Sequence, residues 1–135
     1  MAALILDASL AASWCFPDER TEFTNAVLHA VGQSSAEAPR LWAYEIRNSV
    51  LIGLRRQRLT EADAQDFLAS LEILNIHLTD PPSYDAVFAL AERHSLTFYD
   101  AAYLDLAMRT QLPLASLDAR LCRAASESGV TLFMP

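Results

Sequence analysis

Four acidic side chains are placed where carboxylate chemistry could gather. Asp7 closes the apolar run "ALILD", Glu45 lies inside "WAYEIRNSVLIGLRRQR", Asp100 opens "DAAYLDLA", and Asp118 follows "LPLAS". Singly, each has an ordinary use. Asp100 and Asp118 stand where helix N-caps would stand, a role worth about 1 kcal/mol, and Glu45 reads equally as a solvated helix residue. Asp7 is harder to explain that way, because a carboxylate closing a buried strand must find donors or a cation. Two carboxylates about 5 Å apart repel by about 3 kcal/mol at an effective dielectric of about 20. A cluster of them therefore calls for a proton or a cation. Carboxylate and water oxygens suit Mg²⁺ or Mn²⁺, and no histidine or cysteine is expected near these positions to favour zinc. Such a centre can lower the pKa of a bound water and stabilise charge on a phosphoryl group in transfer.

The elements that must position these acids alternate between short apolar runs and helical periods. "ALILD" suits a central strand buried on both faces. "SLAASWCF" reads as helix, and Glu19–Val31 sets Phe23, Ala26, Val27, Ala30 and Val31 at helical spacing. "APRLW" supplies a second strand. Trp42–Arg58 is a long helix with Ile46, Val50 and Leu54 on its apolar face and arginines at its end, where cations complement the helix dipole. On that helix Glu45, Asn48, Ser49 and Ile52 follow the i, i+3, i+4, i+7 spacing, so three polar groups form a stripe. Thr60 with Asp63 resembles a capping box before another helix. "NIHL" is a strand, and "PPSYDAVFALAERH" a helix with proline in its first turn. "LPLAS" is a strand, "DARLCRAASESG" a helix stopped by Gly129, and "VTLF" a last strand. This order predicts an α/β fold with a mostly parallel sheet, which places Asp7, Asp100 and Asp118 at the end of the sheet where such folds hold their sites.

The chain has 135 residues, enough for one domain over residues 1–135 with a sizeable core. Its 53% hydrophobic and 20% charged content excludes a disordered chain. The formal charge of −7 argues against a broad nucleic-acid-coating surface, which would have to neutralise many phosphates. No apolar run reaches the roughly 18 residues of a membrane span, and "MAALILDAS" meets an acid too early for a signal sequence, so a cytoplasmic protein is expected. Cys15 and Cys122 lack metal or redox spacing and read as buried free thiols.

In this order and spacing, "LILDAS", "YEIRN", "TFYDAAYLDLA" and "LPLASLDARL" resemble the PIN-domain ribonucleases, most closely the VapC-type toxins of toxin–antitoxin pairs. The likeness runs from Leu4 to the final "GVTLF". It implies a PIN-like fold, a mostly parallel sheet of about five strands flanked by helices, and an Mg²⁺- or Mn²⁺-dependent endoribonuclease. By position, Asp7, Glu45, Asp100 and Asp118 become the acids that hold the metal and orient water. Ser9, Asn48 and Ser116 become polar support beside them. Asp105 falls where relatives commonly carry a small or apolar residue, and is expected to be solvated or locally paired. The resemblance further implies a VapB-like antitoxin partner, an RNA substrate and a homodimer. Trp14 and Phe16 could receive the antitoxin or pack in the core, and Arg55, Arg56 and Arg58 could meet phosphates or simply close a helix.

Three rival readings remain. Receiver domains and haloacid-dehalogenase-like phosphatases also place acids at strand ends, but both depend on a lysine, and this chain has none. A PIN fold kept as a binding or assembly module is the alternative from another class. DNA is an alternative target, since metal-assisted hydrolysis does not require a 2′-hydroxyl.

Overall fold

The computed structural model describes residues 1–135. Its strands are β1 (Leu4–Leu6), β2 (Ala36–Pro39), β3 (Ile76–Thr79) and β4 (Leu114–Ala115). Its helices are α1 (Ala8–Ser13), α2 (Glu22–Gln33), α3 (Trp42–Arg55), α4 (Glu61–Ile73), α5 (Tyr84–His94), α6 (Phe98–Thr110) and α7 (Ala119–Glu127), with a 3₁₀ turn at Pro17–Glu19. All strand pairs are parallel, in the order β3-β2-β1-β4.

That order fixes where a site can form. The chain lays β1, β2 and β3 outward in one direction, then returns to place β4 on the free side of β1, with Ile5 opposite Leu114. The switch point therefore falls between the carboxyl ends of β1 and β4, the crevice in which open parallel sheets receive ligands. β1 is wholly enclosed, as three consecutive aliphatic residues require of a central strand. The core continues into α6, where Ala101–Ala107 is buried without a break and packs on β1 and β2. A helix buried all round shows little amphipathic period, and its alanines let it lie close to the sheet.

Helix starts follow local chemistry. Thr21 with Thr24 and Thr60 with Asp63 form reciprocal capping boxes, and Ser83 caps α5. Asp118 caps α7 as expected, but Asp100 does not cap α6. Thr97 does, its hydroxyl accepting from the Asp100 N–H at 3.1 Å, which sets Asp100 inside the first turn. Pro81 and Pro82 precede α5 instead of lying in its first turn. β2 ends at Pro39, since Trp42 already belongs to α3.

The sheet has four strands where about five were expected. The "VTLF" segment pairs only through a parallel bridge between Leu132 and Leu114, with the Leu114 N–H donating to Thr131 O and the Phe133 N–H to Leu114 O. β4 is only two residues long, too short to template a full neighbour. No helix is long and apolar enough to cross a membrane. Cys15 and Cys122 are free, but half-buried instead of buried.

Candidate active site

The end of β1 delivers Asp7 into the switch-point crevice. Its N–H still belongs to the sheet, donating to Ala115 O at 3.0 Å, and the residue is only 5% exposed. Two hydroxyls donate to Asp7 Oδ2: Ser9 from the first turn of α1 at 2.8 Å and Ser116 from the exit of β4 at 2.6 Å. Ser116 Oγ also accepts from the Asp118 N–H at 3.0 Å, so one hydroxyl ties the two strand ends together. Burial pushes the Asp7 carboxyl above its usual range, and the charge of Asp118 adds to this. The Ser116 and Ser9 hydrogen bonds oppose it.

The other three acids arrive from three helices. Asp118 spends Oδ1 on the Leu121 N–H at 2.9 Å, the cap of α7. Asp100 is half-buried at the start of α6. Burial raises its pKa first, then the charges of Asp118 and Asp7, with Thr97 and Arg120 opposing. Glu45, in the first turn of α3, is raised by burial and by the charges of Asp7 and Asp100. The structure thus gathers the four expected acids at one end of the sheet, near enough that their charges act on one another.

One member of this constellation escaped the sequence reading. The fully buried Tyr103 on α6 donates its hydroxyl to Glu45 Oε1 at 2.7 Å. Burial and the Glu45 charge drive its pKa far upward, so the hydroxyl stays protonated and keeps donating to Glu45. The signal was available: Tyr103 falls one turn after Asp100 among the apolar residues Ala101, Ala102 and Leu104, and a buried tyrosine hydroxyl must find a partner.

Other expected residues fall differently. Asn48 is exposed and Ser49 half-buried, and neither side chain bonds to the acids. Cys122, on α7, comes nearer than expected, its thiol donating to Ser116 O at 3.6 Å. Burial and the charges of Asp7 and Asp118 push that thiol upward, which keeps it protonated and unlike a thiolate ligand. Asp105 is buried and paired with Arg109 at 2.7 Å, so it is locally paired but not solvated. Together they line a separate cavity of about 650 Å³ between α5 and α6. Trp14 and Phe16 are core residues, each 4% exposed, with Trp14 Nε1 donating to Thr24 O. Arg58 is occupied by Asp18 and Glu19 and lies over the Phe16 ring, whereas Arg55 and Arg56 form no ion pair.

The donor set is oxygen throughout, as hard divalent cations require. No three His, Cys, Asp or Glu side chains converge closely enough to enclose an ion by themselves. Mg²⁺ is ordinarily held by one or two carboxylates, with water and substrate phosphates completing its shell. Acids that do not enclose an ion by themselves fit Mg²⁺ better than an ion needing a full protein cage.

Comparison with known proteins gives a consistent result. The PIN domain family profile matches residues 4–127. The chain is 37% identical to Ribonuclease VapC3 of Pyrobaculum aerophilum over 87% of its own length and 91% of that protein. It is 31% identical to Ribonuclease VapC1 of Mycobacterium tuberculosis over 68% of the chain and 69% of the relative. The crystal structure of PAE2754 from Pyrobaculum aerophilum superposes with a TM-score of 0.72 at 22% identity, covering 91% of this chain and 84% of that one, a likeness of fold.

Proposed function

The chain belongs to the PIN-domain family, among relatives of the VapC ribonucleases, and from that premise we propose that it is a metal-dependent endoribonuclease, the toxin of a toxin–antitoxin pair. The observation that carries this reading is Asp7. It is a nearly inaccessible carboxylate at the sheet's switch point, held by two hydroxyls and surrounded by three further acids.

Asp7, Glu45, Asp100 and Asp118 would hold Mg²⁺ or Mn²⁺, which supplies an activated water and charge stabilisation at the phosphoryl group when bound. The chain's own residues do the positioning. Ser9 and Ser116 both donate to Oδ2 of Asp7, which fixes the plane of that carboxylate. Tyr103 fixes Glu45 from beneath through its hydroxyl. Asp118 is anchored by its cap, which leaves Oδ2 as the oxygen outside that bond. Orientation of this kind around metal ligands ordinarily matters 10- to 100-fold, roughly, in affinity or activity.

The same premise supports the remaining assignments: one domain over residues 1–135, an RNA substrate, a VapB-like antitoxin as partner, a homodimer and a cytoplasmic location. Trp14 and Phe16 do not serve as the antitoxin's receptors, because both are enclosed. The alternative, a PIN fold kept as a binding module, draws on the lack of a three-donor cluster.

The two readings separate in one experiment. Purified, partner-free protein is incubated with total cellular RNA in Mn²⁺, in Mg²⁺ and in EDTA, beside Asp100→Asn. Discrete metal-dependent fragments that the variant does not produce are expected. Folded protein that cuts in neither metal would leave the binding module standing.

A further inference from the structure

Tyr44 and Tyr99 immediately precede two of the acids, Glu45 on α3 and Asp100 on α6. They are 77% and 62% exposed, in contrast to the enclosed Tyr103. Both line one open cavity of about 380 Å³, completed by Leu41, Glu45 and Asn48. Neither ring stacks on another aromatic, since the chain's ring pair is Phe23 with Phe133. Glu45 belongs both to this cavity and to the acid cluster, so an occupant of the cavity lies beside the reacting centre.

Charge narrows the kind of occupant. The chain carries a formal charge of −7, and Arg40, Arg47, Arg58 and Arg109 are taken up in ion pairs. None of the residues lining this cavity is cationic, so pairing with phosphates, the usual source of affinity for RNA, does not hold an occupant there. Stacking on aromatic side chains is the non-ionic alternative, and it tolerates any sequence because every base has a π face. The exposed Asn48 amide beside the rings offers both a donor and an acceptor.

We propose that Tyr44 and Tyr99 receive one unstacked nucleobase of a single-stranded RNA next to the scissile phosphate, with the Asn48 amide at that base's edge. This deepens the nuclease reading and rests on RNA being the substrate. It also selects single-stranded over duplex RNA, because a paired base presents no free face to the rings.

The test measures binding without cleavage. A short single-stranded oligoribonucleotide carrying a purine analogue whose fluorescence is quenched by stacking is titrated with protein in Ca²⁺. Comparison is made with Tyr44→Ala, Tyr99→Ala and the two Tyr→Phe variants. Wild-type protein should quench the probe. Each alanine variant should bind roughly tenfold to a hundredfold more weakly with the quench reduced, and each phenylalanine variant should behave as wild type. Both sites are exposed, so unchanged melting temperatures will show that the variants fold. Equal quenching by wild type and the alanine variants overturns the proposal and leaves the rings to a protein partner. Equal loss in alanine and phenylalanine variants also overturns it, since the hydroxyls would then carry the binding. Protein that quenches the probe but never cuts RNA in Mg²⁺ or Mn²⁺ would keep the base site and remove the nuclease; protein that cuts without quenching would do the reverse.

Discussion

Asp100 and Asp105 are carried by the same helix, α6, and the chain treats their charges in opposite ways. Asp105 is buried with Arg109 one turn ahead at 2.7 Å, a pairing that places a cation wherever the anion goes. Asp100 sits among Asp7, Asp118 and Glu45, and its partial counter-charge from Arg120 ranks below every repulsive influence on it. A charge balanced inside the chain belongs to the structure. A charge held against its like, with burial added, opposes folding unless something from outside balances it, and this imbalance is what supports the proposal that Asp100 belongs to the site.

The most direct way to break the comparison is to neutralise the unbalanced side. Asp7→Asn and Asp100→Asn should each lower RNA cleavage roughly a hundredfold or more, while both variants stay folded by circular dichroism. Substantial cleavage by either variant would remove that carboxylate from the mechanism. Next in size is the support beneath Glu45. Tyr103→Phe should reduce cleavage roughly tenfold. Because the Tyr103 hydrogen bond lowers the Glu45 pKa, its loss should also move the acidic limb of the pH–rate profile upward. A reduced rate with an unmoved profile would show that Tyr103 acts only through packing.

The repulsion should also be visible in stability. The folded-state pKa values of Asp7, Glu45 and Asp100 are all raised, so the folded chain binds protons more tightly than the unfolded chain. For acids shifted this way, stability is greatest near or below the ordinary carboxylate range, about pH 4, and falls as pH climbs through the raised values. In EDTA, the melting temperature should therefore drop as pH rises from mildly acidic to neutral. Asp7→Asn should flatten part of that slope. A slope of equal steepness in the variant would place the linkage elsewhere.

The sequence disclosed the acids better than their support. Asp7, Glu45, Asp100 and Asp118 could be found because each stands at an element's end or on a polar stripe, and those positions follow from local periodicity. The Tyr103 contact was not legible because its partner is Glu45, 58 residues away, and only the tertiary fold brings the two side chains together. Cys122 was misplaced for a related reason: one turn of α7 after Asp118 carries it back over Ser116. Asp100 was assigned the cap that Thr97 makes, since threonine three residues before an acid is the same capping pattern read from its other end. The fifth strand dwindled to a bridge because β4 is so short, a length that apolar content alone does not reveal.

The smallest expected effect on activity completes the contrast. Asp105→Ala removes a carboxylate that is 9% exposed in its side chain and leaves Arg109, which is 34% exposed, without its partner. Breaking a fully buried pair costs about 3–5 kcal/mol, but Arg109 can turn its guanidinium into water, so a loss of about 1–2 kcal/mol of stability is expected, between the buried and surface cases. The carboxylate points into the cavity between α5 and α6, on the far stretch of α6 from Asp100, and its charge is absent from the influences on Asp7, Glu45 and Asp100. Cleavage should therefore stay within about threefold of wild type at temperatures well below melting, a change of under 1 kcal/mol in the barrier. Denaturant unfolding and RNA cleavage measured on the same preparation make the comparison decisive. A loss of cleavage as complete as that of Asp100→Asn, in protein still folded, would mean that the ion pair transmits to the site and that the division between balanced and unbalanced charge on α6 is wrong.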